Sequence, residues 1–364
     1  MSVQSFPQDE KDQAGQLLFV GFEGSVMNSS LERDLRRIRP GGIILFSRNL
    51  KDASQVADFC RALQGLSAIP PFLAIDQEGG RVSRLKGIFP PIPANLPMSR
   101  SRDAGSLIGE HGRMTGRGLA LLGFNLNFAP VLDLSAADSP NGIGDRAYGE
   151  DPETVAPLAR AFLEGQREAG VLGCGKHFPG LGGGNVDSHL DLPRIERPAD
   201  ALWKQDLAPY RRLREVLPMV MVGHAYYPAL QGSTRGPATL SRALVTDLLR
   251  SRIGYPGVVV TDDLEMGAVD QKRPAGDVVR EAIEAGNDLV MYCNSWERVE
   301  EAHASLARAL KTGRIGRARL ESILTRVLAL KKSLAGPRQT PGFDAAAFEE
   351  VCRSLGSLEG RLTA

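Results

Sequence analysis

Eight short apolar runs, a helical pattern after each, and polar residues collected at the ends of the runs predict an α/β chain folded as a single (β/α)8 TIM barrel. The barrel is expected over residues 10–335, with a short C-terminal helical extension over 336–364 that forms no separate domain. The runs are apolar throughout, not alternating, as parallel strands covered on both faces are. About 320 residues hold the eight units, where such a barrel takes ~250 plus insertions. A doubly wound open sheet is the competing arrangement.

The elements follow in order. Strands are expected at residues 17–21 and 42–46, and Arg36-Arg37-Ile38-Arg39 between them reads as a solvated helix face. Asp52 caps a helix over 53–64, which leads to a third strand at 72–76. A helix over 107–122 precedes the fourth strand, 125–129. Asp151, placed before Pro152, caps a helix over 153–169, and the fifth strand follows at 172–177. The sixth and seventh strands are 219–224 and 258–262, with Ser241 capping a helix over 241–253 between them. A helix at 278–285, a strand at 289–292 and a helix at 296–312 complete the barrel, and 316–333 adds one more helix. The tail from Gly336 holds two prolines and a weak helix signal at 343–355, and reads as a surface appendage.

Bulk composition bounds the function classes. The 364-residue chain carries 44 basic and 43 acidic residues, a net charge of +1, so no basic surplus points to nucleic acid. Its hydrophobic content of 42% and charged content of 24% suit a globular protein with a large core. Residues 1–10 lack a charged-then-apolar leader pattern, and no apolar run nears the ~18 residues that cross a bilayer. Cys60, Cys174, Cys293 and Cys352 are widely spaced with no Cys-x-x-Cys pair, which indicates neither a disulfide framework nor a zinc knuckle. A cytoplasmic location is expected, with no nucleic-acid or membrane partner. Nothing in the chain sets its oligomeric state.

Polar residues placed on this map gather in one region. Asp76 ends the third strand and Arg146 lies in the loop after the fourth. Lys176 and His177 end the fifth, Asp187 and His189 follow in the next loop, His224 ends the sixth and Asp262 the seventh. Carboxyl ends of barrel strands converge on the axis, so these residues face one cleft. Each also has a structural reading. Asp76 caps its own loop, and Arg146 pairs with Asp145 or Glu150. Lys176 and His177 form a satisfied core pair, although two polar groups at a buried strand end are costly without partners. His224 is balanced between packing and substrate contact. His111 and His303 fall inside helical patterns and carry no assigned role; Glu78 and Glu265 read as structural.

The run Lys176-His177-Phe178-Pro179-Gly180-Leu181-Gly182-Gly183-Gly184-Asn185-Val186-Asp187-Ser188-His189 carries the most information. A carboxylate one residue from an imidazole can orient and charge it, and the glycines let that pair swing onto a ligand. A second acidic element is the pair Asp262-Asp263, and strand alternation does not choose between its two members. A loop-borne acid/base with a carboxylate at a strand end is what sugar transfer through a covalent intermediate needs.

These residues resemble the glycoside hydrolase family 3 β-N-acetylglucosaminidases of the bacterial cell-wall recycling type. The run 176–189 matches that group's signature, with leucine at 181 where histidine is frequent. Ala74-Ile75-Asp76-Gln77-Glu78-Gly79-Gly80-Arg81-Val82, Asn127-Phe128-Ala129-Pro130-Val131-Leu132-Asp133, Arg146-Ala147-Tyr148-Gly149 and Gly257-Val258-Val259-Val260-Thr261-Asp262-Asp263-Leu264-Glu265-Met266 extend the likeness over residues 16–334.

The resemblance implies Asp262 as nucleophile, because the group's nucleophile directly follows Ser/Thr. It implies His189 as general acid/base and Asp187 as its orienting partner. Asp76, Arg146, Lys176 and His177 would hold hydroxyls of the terminal sugar; His224 is kept beside them as a candidate substrate contact on its strand-end position alone. The implied partner is a carbohydrate bearing terminal β-linked N-acetylglucosamine, such as a muropeptide fragment, and no metal or other cofactor is required. Four alternatives stand beside this. A phosphorylase uses phosphate where the hydrolase uses water. A β-glucosidase of the same family generally takes its acid/base from a second domain, for which this chain leaves no room after the barrel. A metal-dependent barrel hydrolase would use His177, His189, His224 and Asp262 as ligands. A non-catalytic sugar-binding barrel would bind without turnover.

Overall fold

The structure, a computed structural model, describes residues 7, 9–139, 141–188, 190–334 and 343–362. Among them eight parallel strands close a barrel: β1 (Leu18–Val20), β2 (Gly42–Ile44), β3 (Phe72–Ile75), β4 (Leu126–Asn127), β5 (Leu172–Phe178), β6 (Met219–Val222), β7 (Val258–Asp263) and β8 (Leu289–Tyr292). Neighbours in the ring are neighbours in sequence, and the pairing of Leu18 with Val290 closes it. Each predicted run contributes one strand. Most are trimmed at the ends, where the chain leaves the ladder to carry polar residues. The rings of Phe19, Phe72 and Phe128 pack together at centroid distances of 6.3 and 5.4 Å, joining β1, β3 and the end of β4.

The helices follow the expected order with local differences. The arginine-rich run is the outer face of Ser29–Ile38, whose Leu35 and Ile38 point inward while Arg36 and Arg37 stay exposed. Asp52 caps Ala53–Gln64 by accepting from the Gln55 N–H, and Asp151 caps Pro152–Glu168 through the Glu153 N–H. Ser241 differs. It starts its helix with a backbone carbonyl that accepts from Leu244 and Val245, and the segment Ala243–Arg252 winds as a π-helix.

The tail helix Ala345–Ser357 is not a loose appendage. Phe348, Val351 and Leu355 are buried against the helix Ala104–Leu122, the Phe348 ring lies 5.7 Å from that of Phe89, and Arg361 pairs with Asp103 and Glu110. One apolar stripe on a short helix suffices to dock it.

A buried lysine marks the opposite side of the molecule from the polar strand ends. Lys331, in the helix Arg317–Ser333, donates to the Gln16 side chain at 2.9 Å and lies 5.2 Å from the centre of the Phe72 ring. Burial pushes its ammonium down from 10.5 to about 7. Between those values the unfolded chain holds a proton that the folded protein has released, so folding gains stability as pH rises through this window. The melting temperature of the wild type is expected to climb from pH 7 toward pH 10, and Lys331→Met to flatten that slope while raising stability near neutrality. A steeper or unchanged slope in the variant counts against this assignment.

Candidate active site

The carboxyl ends of the strands surround a cleft of about 390 Å³. Its floor is a network of buried charges. β3 delivers Asp76, and Asn127 of β4 fixes the next peptide by accepting from the Gln77 N–H and donating to its carbonyl, each at 2.9 Å. β5 delivers Lys176, whose ammonium reaches Asp76 at 2.8 Å and Glu78 at 2.5 Å. A single 3-10 turn, Gly144–Arg146, aims the Arg146 guanidinium at Glu78, with two bonds of 2.8 and 2.9 Å. Asp76 also meets Arg84 at 3.4 Å.

Burial works against every charge here, and the partners overcome it. Lys176 and Arg84 hold the Asp76 carboxyl below its ordinary value, and Arg146 and Lys176 hold Glu78 well below. The same carboxylates raise Lys176 and Arg146. The cleft therefore offers fixed donors and acceptors that cost no reorganisation when a polar ligand arrives. Glu78, read from sequence as structural, is 1% exposed and is the shared counterion of two cations. Glu78→Gln is expected to destabilise the fold by about 3–5 kcal/mol, because it strands buried positive charge. Denaturant melts check this, and a loss below 1 kcal/mol would contradict it.

His177 lies beside Lys176 and lines the same cleft. Its Nδ1 is 2.7 Å from Asp133, and the same carboxylate accepts from the His177 N–H at 3.2 Å and the Leu181 N–H at 2.7 Å. Asp133 is fully buried. The sequence reading did not single it out, although a carboxylate inside the apolar run 128–134 always needs buried partners.

The glycine-rich loop follows. Tyr227 donates to the Gly180 carbonyl and Asn141 to the Gly182 carbonyl, each at 2.7 Å. Gly182 abuts the Leu134 carbonyl so closely that no side chain fits there. At this residue the glycine serves close packing, not the swing expected of it. Asp187 lines the cleft, and a Cβ on Gly142 (φ +75°) would stand 2.5 Å from its carboxylate. The carbonyl of Ser188 accepts from the Ala268 N–H at 3.2 Å, tying the loop to the segment after β7. His189 lies outside the described residues.

β7 ends in Asp262 and Asp263, both half-buried in the cleft wall. Asp262 accepts from the Asp263 N–H at 2.8 Å. The Asp263 carboxyl accepts from the Glu265 N–H at 3.1 Å and the Asn294 amide at 3.3 Å, and burial pushes it up to about 7. His224 takes a place different from the expected one. It is fully buried, with Nδ1 on the Thr239 hydroxyl and Nε2 on the Asp263 carbonyl at 2.9 Å. It supports the backbone of β7 and does not line the cleft, and both ring nitrogens are engaged within the protein. The cleft thus gathers Asp76, Arg146, Lys176, His177, Asp187 and Asp262, and adds Arg84, which sequence reasoning missed.

Residues 10–330 match the family described as "Glycosyl hydrolase family 3 N terminal domain". The chain belongs to glycoside hydrolase family 3. As a family 3 member it is a glycosidase. It is 41% identical to a protein named Beta-hexosaminidase from Alkalilimnicola ehrlichii, over 78% of this chain and 82% of that one. Among solved structures it is similar to a family 3 β-N-acetylglucosaminidase from Paenibacillus sp. FPU-7, with a TM-score of 0.86 and 34% identity over 96% of this chain and 68% of that one. It is also similar to a β-N-acetylhexosaminidase from Beutenbergia cavernae, with a TM-score of 0.81 and 29% identity over 90% of this chain and all of that one.

Proposed function

We propose that this chain hydrolyses non-reducing terminal β-linked N-acetylglucosamine with retention of configuration. Asp262 attacks C1 of the sugar, forming a glycosyl ester as the bond to the leaving oxygen breaks. His189 gives its proton to that oxygen. Water then attacks C1, His189 takes the water proton, and the ester to Asp262 is released. Asp187, two residues earlier in the sequence, would orient the imidazole for both transfers. Asp76, Arg84, Arg146, Lys176 and His177 bind the hydroxyls of the terminal sugar.

The observation that carries this reading is the shared cleft. Asp262 and Asp187 belong to different strand–loop units yet line one cavity, and the Ser188–Ala268 bond ties the glycine-rich loop to the segment after β7. The relatives' names support an N-acetylhexosaminide as substrate. We place the enzyme in the bacterial cytoplasm, acting on imported cell-wall fragments such as GlcNAc-anhydro-N-acetylmuramic acid with or without peptide.

Turnover of an aryl β-N-acetylglucosaminide should far exceed that of the aryl β-glucoside, and NMR of the first-formed product should show the β-anomer. A first-formed α-anomer would sink the double displacement. Mass spectrometry of a cell-wall digest, run with and without phosphate, should give free N-acetylglucosamine in both; a sugar 1-phosphate would make the enzyme a phosphorylase.

A further inference from the structure

The structure assigns Asp133 as a positioning residue that fixes which edge of His177 meets the sugar. This rests on the proposed sugar-binding role of His177. Both oxygens of Asp133 are occupied by N–H donors: Oδ1 by the Leu181 N–H at 2.7 Å, and Oδ2 by the His177 N–H at 3.2 Å and by Nδ1 at 2.7 Å. A carboxylate filled in this way accepts only, so the hydrogen between it and the ring belongs to Nδ1. The Nε2 edge takes no protein partner among the described residues, and His177 lines the cleft. Whenever the ring is neutral, it therefore shows the cleft a lone pair.

That edge is chemically distinct from its neighbours. Lys176 and Arg146 can only donate, so His177 joins Asp76 as an acceptor for a sugar hydroxyl. The carboxylate that sets this polarity also grips Leu181, at the root of the loop that carries Asp187. One buried group thus orients a sugar contact and holds the loop's first turn.

With its oxygen at the Oδ1 position, Asp133→Asn keeps the shape and an acceptor for the Leu181 and His177 backbone N–H groups, but turns an amide N–H toward Nδ1. The ring must then carry its hydrogen on Nε2 and present a donor. Nitrogen-15 NMR of labelled wild-type enzyme should find the Nδ1–H tautomer at His177, and that of Asp133→Asn the Nε2–H tautomer. On the aryl β-N-acetylglucosaminide, kcat/KM should fall roughly 10- to 100-fold. In a His177→Ala background the same change should cost less than about threefold, since an effect routed through the ring vanishes with it. An Nε2–H tautomer in the wild type overturns the assignment, even if Asp133→Asn fails to fold. So does a full loss of kcat/KM that persists without His177. Wild-type enzyme inactive on every N-acetylhexosaminide would instead sink the proposed function and leave the tautomer result standing.

Discussion

Asp262→Ala is expected to lower kcat on aryl β-N-acetylglucosaminides by roughly 10³-fold or more while the protein stays folded, because removing a covalent nucleophile removes the path itself. The side chain is half-buried at the end of β7 and accepts one backbone hydrogen bond, so its loss leaves no stranded charge in the core. Asp263 is a poor substitute. Its carboxyl is held by Asn294 and the Glu265 N–H, and burial pushes it up to about 7, leaving much of it protonated at neutral pH. Added azide should restore turnover of Asp262→Ala and give the α-glycosyl azide, since the small anion enters from the vacated face. Wild-type turnover in Asp262→Ala, or a comparable loss in Asp263→Ala with Asp262 intact, would dismiss Asp262 as the nucleophile.

His189→Ala should slow both chemical steps, by roughly 10²- to 10⁴-fold for substrates whose leaving group needs a proton. Aryl substrates with acidic phenols leave unaided, so for them the first step survives and release of the glycosyl ester limits the rate. A burst of phenol followed by slow turnover is the expected trace. Azide should again accelerate the variant, this time giving the β-glycosyl azide, because attack replaces water on the enzyme-bound ester. The opposite azide stereochemistry in the two variants separates nucleophile from acid/base in one assay. An α-azide from His189→Ala, or no burst, would reject the role of His189.

Much of this architecture was legible in the residues. Unbroken apolar runs locate parallel strands because both faces of each strand are covered, and Asp76, Lys176 and Asp262 stand out because a charge at such a run's end must find partners. Arg146 was found through its loop position. The sequence could not say that its partner would be Glu78, sixty-eight positions away, instead of Asp145 or Glu150. Arg84 and Asp133 escaped because neither ends a barrel strand: Arg84 meets Asp76 eight positions back, and Asp133 meets His177 forty-four positions on. His224 was misplaced because the end of a strand fixes a position and not a side-chain direction; its ring turns to Thr239. The tail helix has the spacing of Phe348, Val351 and Leu355 that marks an amphipathic element, but the surface it covers belongs to residues more than two hundred positions earlier.

The ring closes by zipping Leu18 against Val290. A ribosome reading this message has emitted the first staple of that seam long before the last, so the growing polypeptide carries two open sheet borders until about Tyr292 clears the exit tunnel. Unpaired borders invite pairing with other chains. The interval between those two moments is when the newborn molecule most needs a chaperone's shelter.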